Sequence, residues 1–152
     1  MSTQQRSITV GVDGSEGARR ALAWAVRHAA ATGAVVEVVT AWAWDGIAFA
    51  PGSLVGPQEE RQFAADMQKR DIAQVLSEFQ GAAPTIVPRL VEGDAATVLI
   101  QAAESSELLV VGSHGRGHLA AALMGSVSEA CARRGTTPVV IVPVHARSVV
   151  AA

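Results

Sequence analysis

Cysteine is almost absent: Cys131 is the only one in 152 residues, which excludes an intramolecular disulfide and any multi-cysteine metal site and suits a reducing compartment. Charge is also sparse. Charged residues make up 17%, the net charge is -2 and the pI is near 6.1, so no overall basic field favours nucleic acid as a main partner. Long apolar runs are missing too, since none approaches the roughly 18 residues that a membrane span needs. Met1 to Ser7 is polar, so neither secretion nor insertion is indicated and a cytoplasmic location is expected. No glycine is followed by Lys-Ser or Lys-Thr, which rules out a P-loop.

What is present is a hydrophobic fraction of 49%, dominated by Ala and Val, in a chain of a length that suits one compact domain over 1–152. Ile8, Val10 and Val12 alternate with Thr9 and Gly11 and stop at Asp13-Gly14-Ser15, which predicts a strand and then a turn that opens a helix. From Ala18, the residues Ala21, Leu22, Ala25, Val26 and Ala29 recur at helical spacing as far as Gly33. Ala34 to Ala41 reads as a buried strand, broken only by Glu37.

Trp42 to Pro57, with three glycines and two prolines, is the longest predicted loop. Trp42 and Trp44 are expected to pack that loop, with a lid over a ligand as the alternative. Gln58 to Gln80 follows as a helix with Phe63, Met67, Ile72, Val75, Leu76 and Phe79 on its inner face. Further strands are predicted at Thr85 to Val91, Leu108 to Val111 and Pro138 to Val144, with a short helix around Ala95 to Ser105 and another ending near Arg133. The alternation implies an α/β fold: an open five-stranded parallel sheet with helices on both faces. The apolar run Val139 to Val142 should lie at a sheet edge and needs a cover. Cys131 is expected to be a buried structural thiol on the apolar face of its helix.

In such a sheet, ligands collect at the carboxyl ends of the strands, where the strand order reverses. The predicted strand ends are Asp13, Ala41 and Gly112. The richest follows the fourth strand: Gly112-x2-Gly115-x9-Gly125-Ser126. Glycines allow close backbone approach and positive φ. Ser126-Val127-Ser128-Glu129 fits a capping box at a helix start, whose free amides and dipole attract phosphate without a lysine. Gly115 to Ala120 also fits a dinucleotide fingerprint, but it does not follow the first strand and Gly135 to Val142 lacks the acidic residue that would hold a ribose. His114 and His118 lack the glutamate-bearing helical motif of zinc hydrolases. Asp13 has a plainer reading as a turn residue that satisfies local amides.

The long glycine spacing, together with Asp13 at the end of the first strand, resembles the ATP-binding branch of the universal stress proteins over about Ile8 to Val144. The resemblance implies a Rossmann-like fold related to the adenine nucleotide alpha hydrolases. It implies that Asp13, Gly14 and Ser15 line the ribose and adenine, that the Ala41 backbone faces the adenine edge and that Val111 and Gly112 pass beneath the ribose. Gly115, Gly125 and Ser126 would hold the phosphates, with Val127 and Ser128 completing the cradle, and His114, Arg116 and Gly117 share that loop. Mg2+ would accompany ATP, chiefly on phosphate oxygens and water. A homodimer through Val139–Val144 is also implied. The resemblance implies a nucleotide-dependent regulatory module in stress response or dormancy, and since no general base with a supporting partner is evident, any hydrolysis is expected to be slow. The alternatives are a slow ATPase or self-phosphorylating enzyme, with Ser126, Ser128 or His114 as acceptor, and a dimeric scaffold without nucleotide.

Overall fold

The structure, a computed structural model, describes residues 4–44, 56–114 and 124–143. The chain runs β1 (Ser7–Gly11), α1 (Glu16–Thr32), β2 (Val35–Trp42), α2 (Pro57–Glu78), β3 (Ile86–Glu92), α3 (Ala95–Ala102), a 3-10 turn (Ala103–Ser105), β4 (Leu108–Gly112), α4 (Ser126–Arg134) and β5 (Val139–Val142). The strands form one sheet in the order β3-β2-β1-β4-β5, with every neighbouring pair parallel. This is the open five-stranded parallel sheet that the alternation predicts, and β5 lies at an edge, as expected. Among the described residues no helix is long and apolar enough to cross a membrane.

Strand side chains alternate between two helix layers. Ile8, Val10, Val12, Val36, Val38 and Val110 pack with Ala21, Leu22, Ala25 and Val26 of α1 and Val75 of α2. Val39, Leu109 and Val111 pack on the opposite face with Val98 and Leu99 of α3 and Cys131 of α4. A strand covered on both faces needs an almost unbroken apolar run, which is why β2 and β4 read that way. Cys131 is fully buried, as expected, and burial pushes its thiol above the ordinary value, which disfavours the nucleophilic thiolate.

Helix starts are set by caps. Ser15 Oγ accepts from Ala18 N, which begins α1 two residues before the predicted Ala18. Asp94 Oδ2 accepts from both Thr97 N and Thr97 Oγ1 at the start of α3, and these bonds hold its carboxyl below the usual carboxylate range. Pro57 opens α2, and Glu59 reaches back to the Gly56 amide at 3.0 Å.

The inner face of α2 departs from expectation. Phe63 is 59% exposed, and the buried residues are Ala64, Met67, Gln68, Asp71 and Val75. Ile72, Leu76 and Phe79 are partly buried against the core, as predicted. The helix is therefore rotated so that two polar side chains, 68 and 71, face inward. Gln68 Nε2 lies 3.0 Å from Val38 O, 3.0 Å from Thr40 Oγ1 and 2.9 Å from Arg89 O, so it joins α2 to both β2 and β3. Trp42 is the last residue of β2 and not the start of the loop. Trp44 is 43% exposed, and 45–55 lie outside the described residues.

The strand order reverses between β1 and β4. From β1 the sheet is built outward through β2 and β3 to one edge, and through β4 and β5 to the other. The crevice between the carboxyl ends of β1 and β4 is therefore the topological switch point of the sheet.

Gln68→Leu keeps the volume but removes a buried donor shared among three acceptors. Chemical denaturation is expected to show a loss of about 1–3 kcal/mol; an unchanged midpoint would remove Gln68 from the supports of the sheet.

Candidate functional site

The switch-point crevice is built from three chain segments. On one side the turn after β1 carries Asp13, Gly14 and Ser15. Asp13 Oδ1 accepts from Ser15 N at 2.9 Å and from Ser15 Oγ, while Ser15 Oγ accepts from Ala18 N at 3.1 Å. One carboxylate oxygen of Asp13 is thus committed to shaping the turn and the start of α1, as the plainer sequence reading has it. Gly14 has φ of 86°, a left-handed conformation that suits glycine, and a Cβ there would run into Met67 Sδ of α2.

The middle of the crevice is the end of β4. Val111 is buried in the α3–α4 layer and pairs with Ile141, and Gly112 pairs with Val142. A Cβ on Gly112 would sit 2.8 Å from both the carbonyl carbon and oxygen of Gly17, so α1 approaches β4 backbone to backbone. Ala41 lies near the end of β2, in register with Val91 and packed against the α3–α4 layer. β2 is tied to the β1 turn by Val12 N donating to Val39 O at 3.0 Å and Thr40 Oγ1 donating to Val12 O at 2.8 Å.

The third segment leads out of β4 and returns in α4. Ser113 N donates to Val142 O at 2.9 Å, and Ser113 O accepts from Gly125 N at 2.6 Å. Ser128 is buried, and its hydroxyl lies 3.1 Å from Ser113 O and 2.9 Å from Gly125 O. Its single proton is shared between those two carbonyls, so the side chain clasps the two ends of the segment spanning 114–124. Ser113 Oγ lies 3.1 Å from His114 Nδ1, and His114 is half-buried beside the crevice.

The start of α4 differs from the predicted capping box. Gly125 is the N-cap, with φ of -65° and ψ of 158°, and no side chain caps it. Ser126 is the exposed first helical residue, and Glu129 pairs with Arg133 at 3.0 Å instead of reaching back. The reason is spatial, because the bond from Gly125 N to Ser113 O fixes the entry one residue earlier. Nor does either described glycine of the motif use positive φ, as Gly112 is needed for close approach and Gly125 for an open helix start. The first-turn amides of Ser126, Val127 and Ser128 are those that helix geometry leaves without intrahelical partners, at the positive end of the dipole.

Asp13, Gly14, Ser15, Ala41, Val111, Gly112, His114, Gly125, Ser126, Val127 and Ser128 therefore belong to segments at the carboxyl ends of β1, β2 and β4. Gly115, Arg116 and Gly117, like His118, lie outside the described residues. Among the described residues no group of three or more His, Cys, Asp or Glu is placed to hold a metal ion.

Three supporting residues escape the sequence reading. Arg19 Nη1 donates to Gly14 O at 2.9 Å and lies 3.5 Å from Asp71 Oδ1. Asp71 is only 1% exposed, and burial raises its carboxyl above the usual range despite the opposing pull of Arg19 and Arg70. Gln68 and Asp71 fall on the same stripe as Ala64, Met67 and Val75, so polar residues at inner helical spacing were the available signal.

The universal stress protein family matches residues 5–143. Universal stress protein Rv2005c of Mycobacterium tuberculosis is 34% identical over 142 residues, covering 91% of this chain and 45% of the relative. The chain thus spans about half the length of the curated relatives it matches. A universal stress protein crystallised in complex with cAMP is 30% identical, with a TM-score of 0.59 over 93% of this chain and 99% of the other. UspA of Lactobacillus plantarum, at 18% identity, shares the fold with a TM-score of 0.72 over 93% of this chain and 99% of the other.

Gly112→Ala forces a Cβ into the Gly17 backbone. It is expected to cost about 1–3 kcal/mol in chemical denaturation; a neutral result would mean that α1 and β4 are not in contact there. The family match, the doubly wound sheet and the glycine-lined crevice at its switch point agree, and the chain belongs to the universal stress protein family.

Proposed function

We propose that the crevice binds an adenine nucleotide, with ATP and Mg2+ as the working ligand, and that the chain acts as a nucleotide-dependent regulatory module in stress response or dormancy. The observation that carries this reading is the α4 entry: an uncapped helix N-terminus, held open by the Ser113–Gly125–Ser128 clasp, at the carboxyl end of β4. Orphan amides and dipole there suit phosphate. The fit is independent of any lysine and is of the kind the donor set allows, since the first-turn amides bind anions and Gly112 leaves space beside the backbone. The cAMP complex of the 30%-identical relative supports an adenine ligand.

In this reading the Asp13–Ser15 turn and the Ala41 backbone take the adenosine end, and Val111 and Gly112 pass beneath the ribose. Gly125, Ser126, Val127 and Ser128 take the phosphate end, Ser128 by holding the segment ends together, and His114, Gly115, Arg116 and Gly117 share the loop. With no three-group metal cluster among the described residues, Mg2+ would be held by phosphate oxygens and water. We place the protein in the cytoplasm as one domain over 1–152, dimerising through Val139–Val144. The edge position of β5 supports that dimer, and Val144 lies outside the described residues. A partner that reads the bound state would complete the regulatory role.

Thermal melts test the ligand. Mg-ATP, AMP or cAMP at a hundred times its Kd should stabilise the fold by about 2.7 kcal/mol through mass action; no shift with any of them at millimolar concentration contradicts the reading. Gly125→Asp separates site from scaffold. Aspartate is a favoured N-cap and complements the dipole, so the melting temperature should hold or rise, while its carboxylate occupies the phosphate position. Affinity is expected to fall at least about tenfold, one or more units of 1.4 kcal/mol. Undiminished binding would move the phosphates away from α4.

A further inference from the structure

The sheet and its two helix layers enclose a buried acid, Asp71, on the inner stripe of α2. Its carboxylate is 1% exposed, and among the described residues neither oxygen has a hydrogen-bond partner that satisfies it. Its close charged neighbour is Arg19 of α1, whose Nη1 stands 3.5 Å from Asp71 Oδ1. The same Nη1 donates to Gly14 O at 2.9 Å. One nitrogen thus joins a buried carboxylate to the backbone carbonyl in the middle of the Asp13–Ser15 turn.

A core that needed only packing would place an apolar side chain at position 71, because burying a carboxylate against a single imperfect ion pair is unfavourable. The neighbouring inward residue, Gln68, is fully engaged by neutral acceptors. Asp71 is not, so its presence is explained by what it does to Arg19. Gly14 also needs help. It lies in the left-handed region between Asp13 and Ser15, and its carbonyl has Arg19 as its side-chain donor. Asp13 is held from the other side, by Ser15.

We propose that Asp71 and Arg19 form a strut that positions the Asp13–Ser15 turn for its ligand, which makes both of them positioning residues of the crevice. The proposal rests on the reading of that crevice as an adenine-nucleotide site. Asp71 draws the guanidinium inward, the guanidinium fixes the Gly14 carbonyl, and the peptide plane sets where the Asp13 carboxylate points. The groups whose charge reaches Asp71 are Arg19 from α1, Arg70 from α2 itself and Asp13 from the turn. Burial raises the Asp71 carboxyl, so its ionised form opposes folding. The folded state then holds this proton more tightly than the unfolded chain does. The stability that the group confers is therefore complete below its unfolded value and declines as pH rises through its folded value.

Asp71→Asn tests the strut because structure and positioning predict opposite signs. If Asp71 served only stability, the variant would melt lower at neutral pH and any weakened binding would follow from that. The strut requires a melting temperature at pH 7 equal to or above wild type, with the difference shrinking toward acid pH. It also requires displaced Gly14 and Ser15 backbone amide resonances in the ligand-free protein. Affinity for AMP and Mg-ATP should fall about five- to tenfold, the order of one lost supporting hydrogen bond. Arg19→Met, at a partly exposed side chain, should displace the same two resonances and serves if the Asp71 variant does not fold. Wild-type resonances and affinity in both variants overturn the strut and leave the ligand reading standing. Displaced resonances in a protein whose wild type binds neither nucleotide leave the strut standing and overturn the ligand reading.

Discussion

Gly112 and Gly17 meet backbone to backbone, and that contact governs the working end of the molecule. The first turn of α1 lies this close to the end of β4 because Gly112 brings no Cβ between them; one there would sit 2.8 Å from the carbonyl carbon and oxygen of Gly17. α1 is thereby placed across the gap between β1 and β4, where the sheet reverses its order. The Asp13–Ser15 turn, which caps α1, is carried to the same spot, and the chain leaving β4 must go outward through Ser113. A larger residue at 112 would lift the helix start and with it the turn. Packing and site geometry are therefore one constraint, with overpacking as the force that enforces it.

Beneath that contact, the α1–α2 layer is largely apolar except where α2 crosses β2 and β3. There Gln68 and Asp71 replace hydrophobic side chains and use polar bonds to tie the helix to strands and turn. The two are not equivalent energetically. Gln68 is neutral and its amide protons meet three good acceptors, so its burial is offset locally. Asp71 carries charge into the core against an ion pair of 3.5 Å, which leaves much of the desolvation uncompensated. Departures of this kind from good core design concentrate where a protein does its work.

The architecture was legible because period-two and helical apolar patterns are strong where both faces of a sheet are covered. Ile8 to Val12, Val35 to Val39 and Leu108 to Val111 announce buried parallel strands, and Ala21 to Ala29 announces α1. Ends were less legible, since they depend on single hydrogen bonds. Ser15 began α1 early, and the bond between Gly125 N and Ser113 O moved the α4 cap from Ser126 to Gly125. Phe63 was misplaced because an aromatic residue at helical spacing looks inward, whereas the rotation of α2 is set by what Gln68 and Asp71 reach. The glycine spacing and Asp13 marked the crevice. The residues behind it, Arg19 and Asp71, were hidden because they are 52 positions apart and meet only through the tertiary fold.

The proposed adenine-nucleotide site lies at the switch point, between the β1 turn and the start of α4. Titrating AMP into the isotope-labelled protein and mapping the backbone amide resonances tests it most directly. Saturable shifts are expected to concentrate at residues 11–15, 41, 111–114 and 125–128, while a separate groove between α1 and α2, lined by Val26, Arg27, Val75 and Phe79, stays unmoved. Shifts centred on that groove, or none at millimolar AMP, would contradict it.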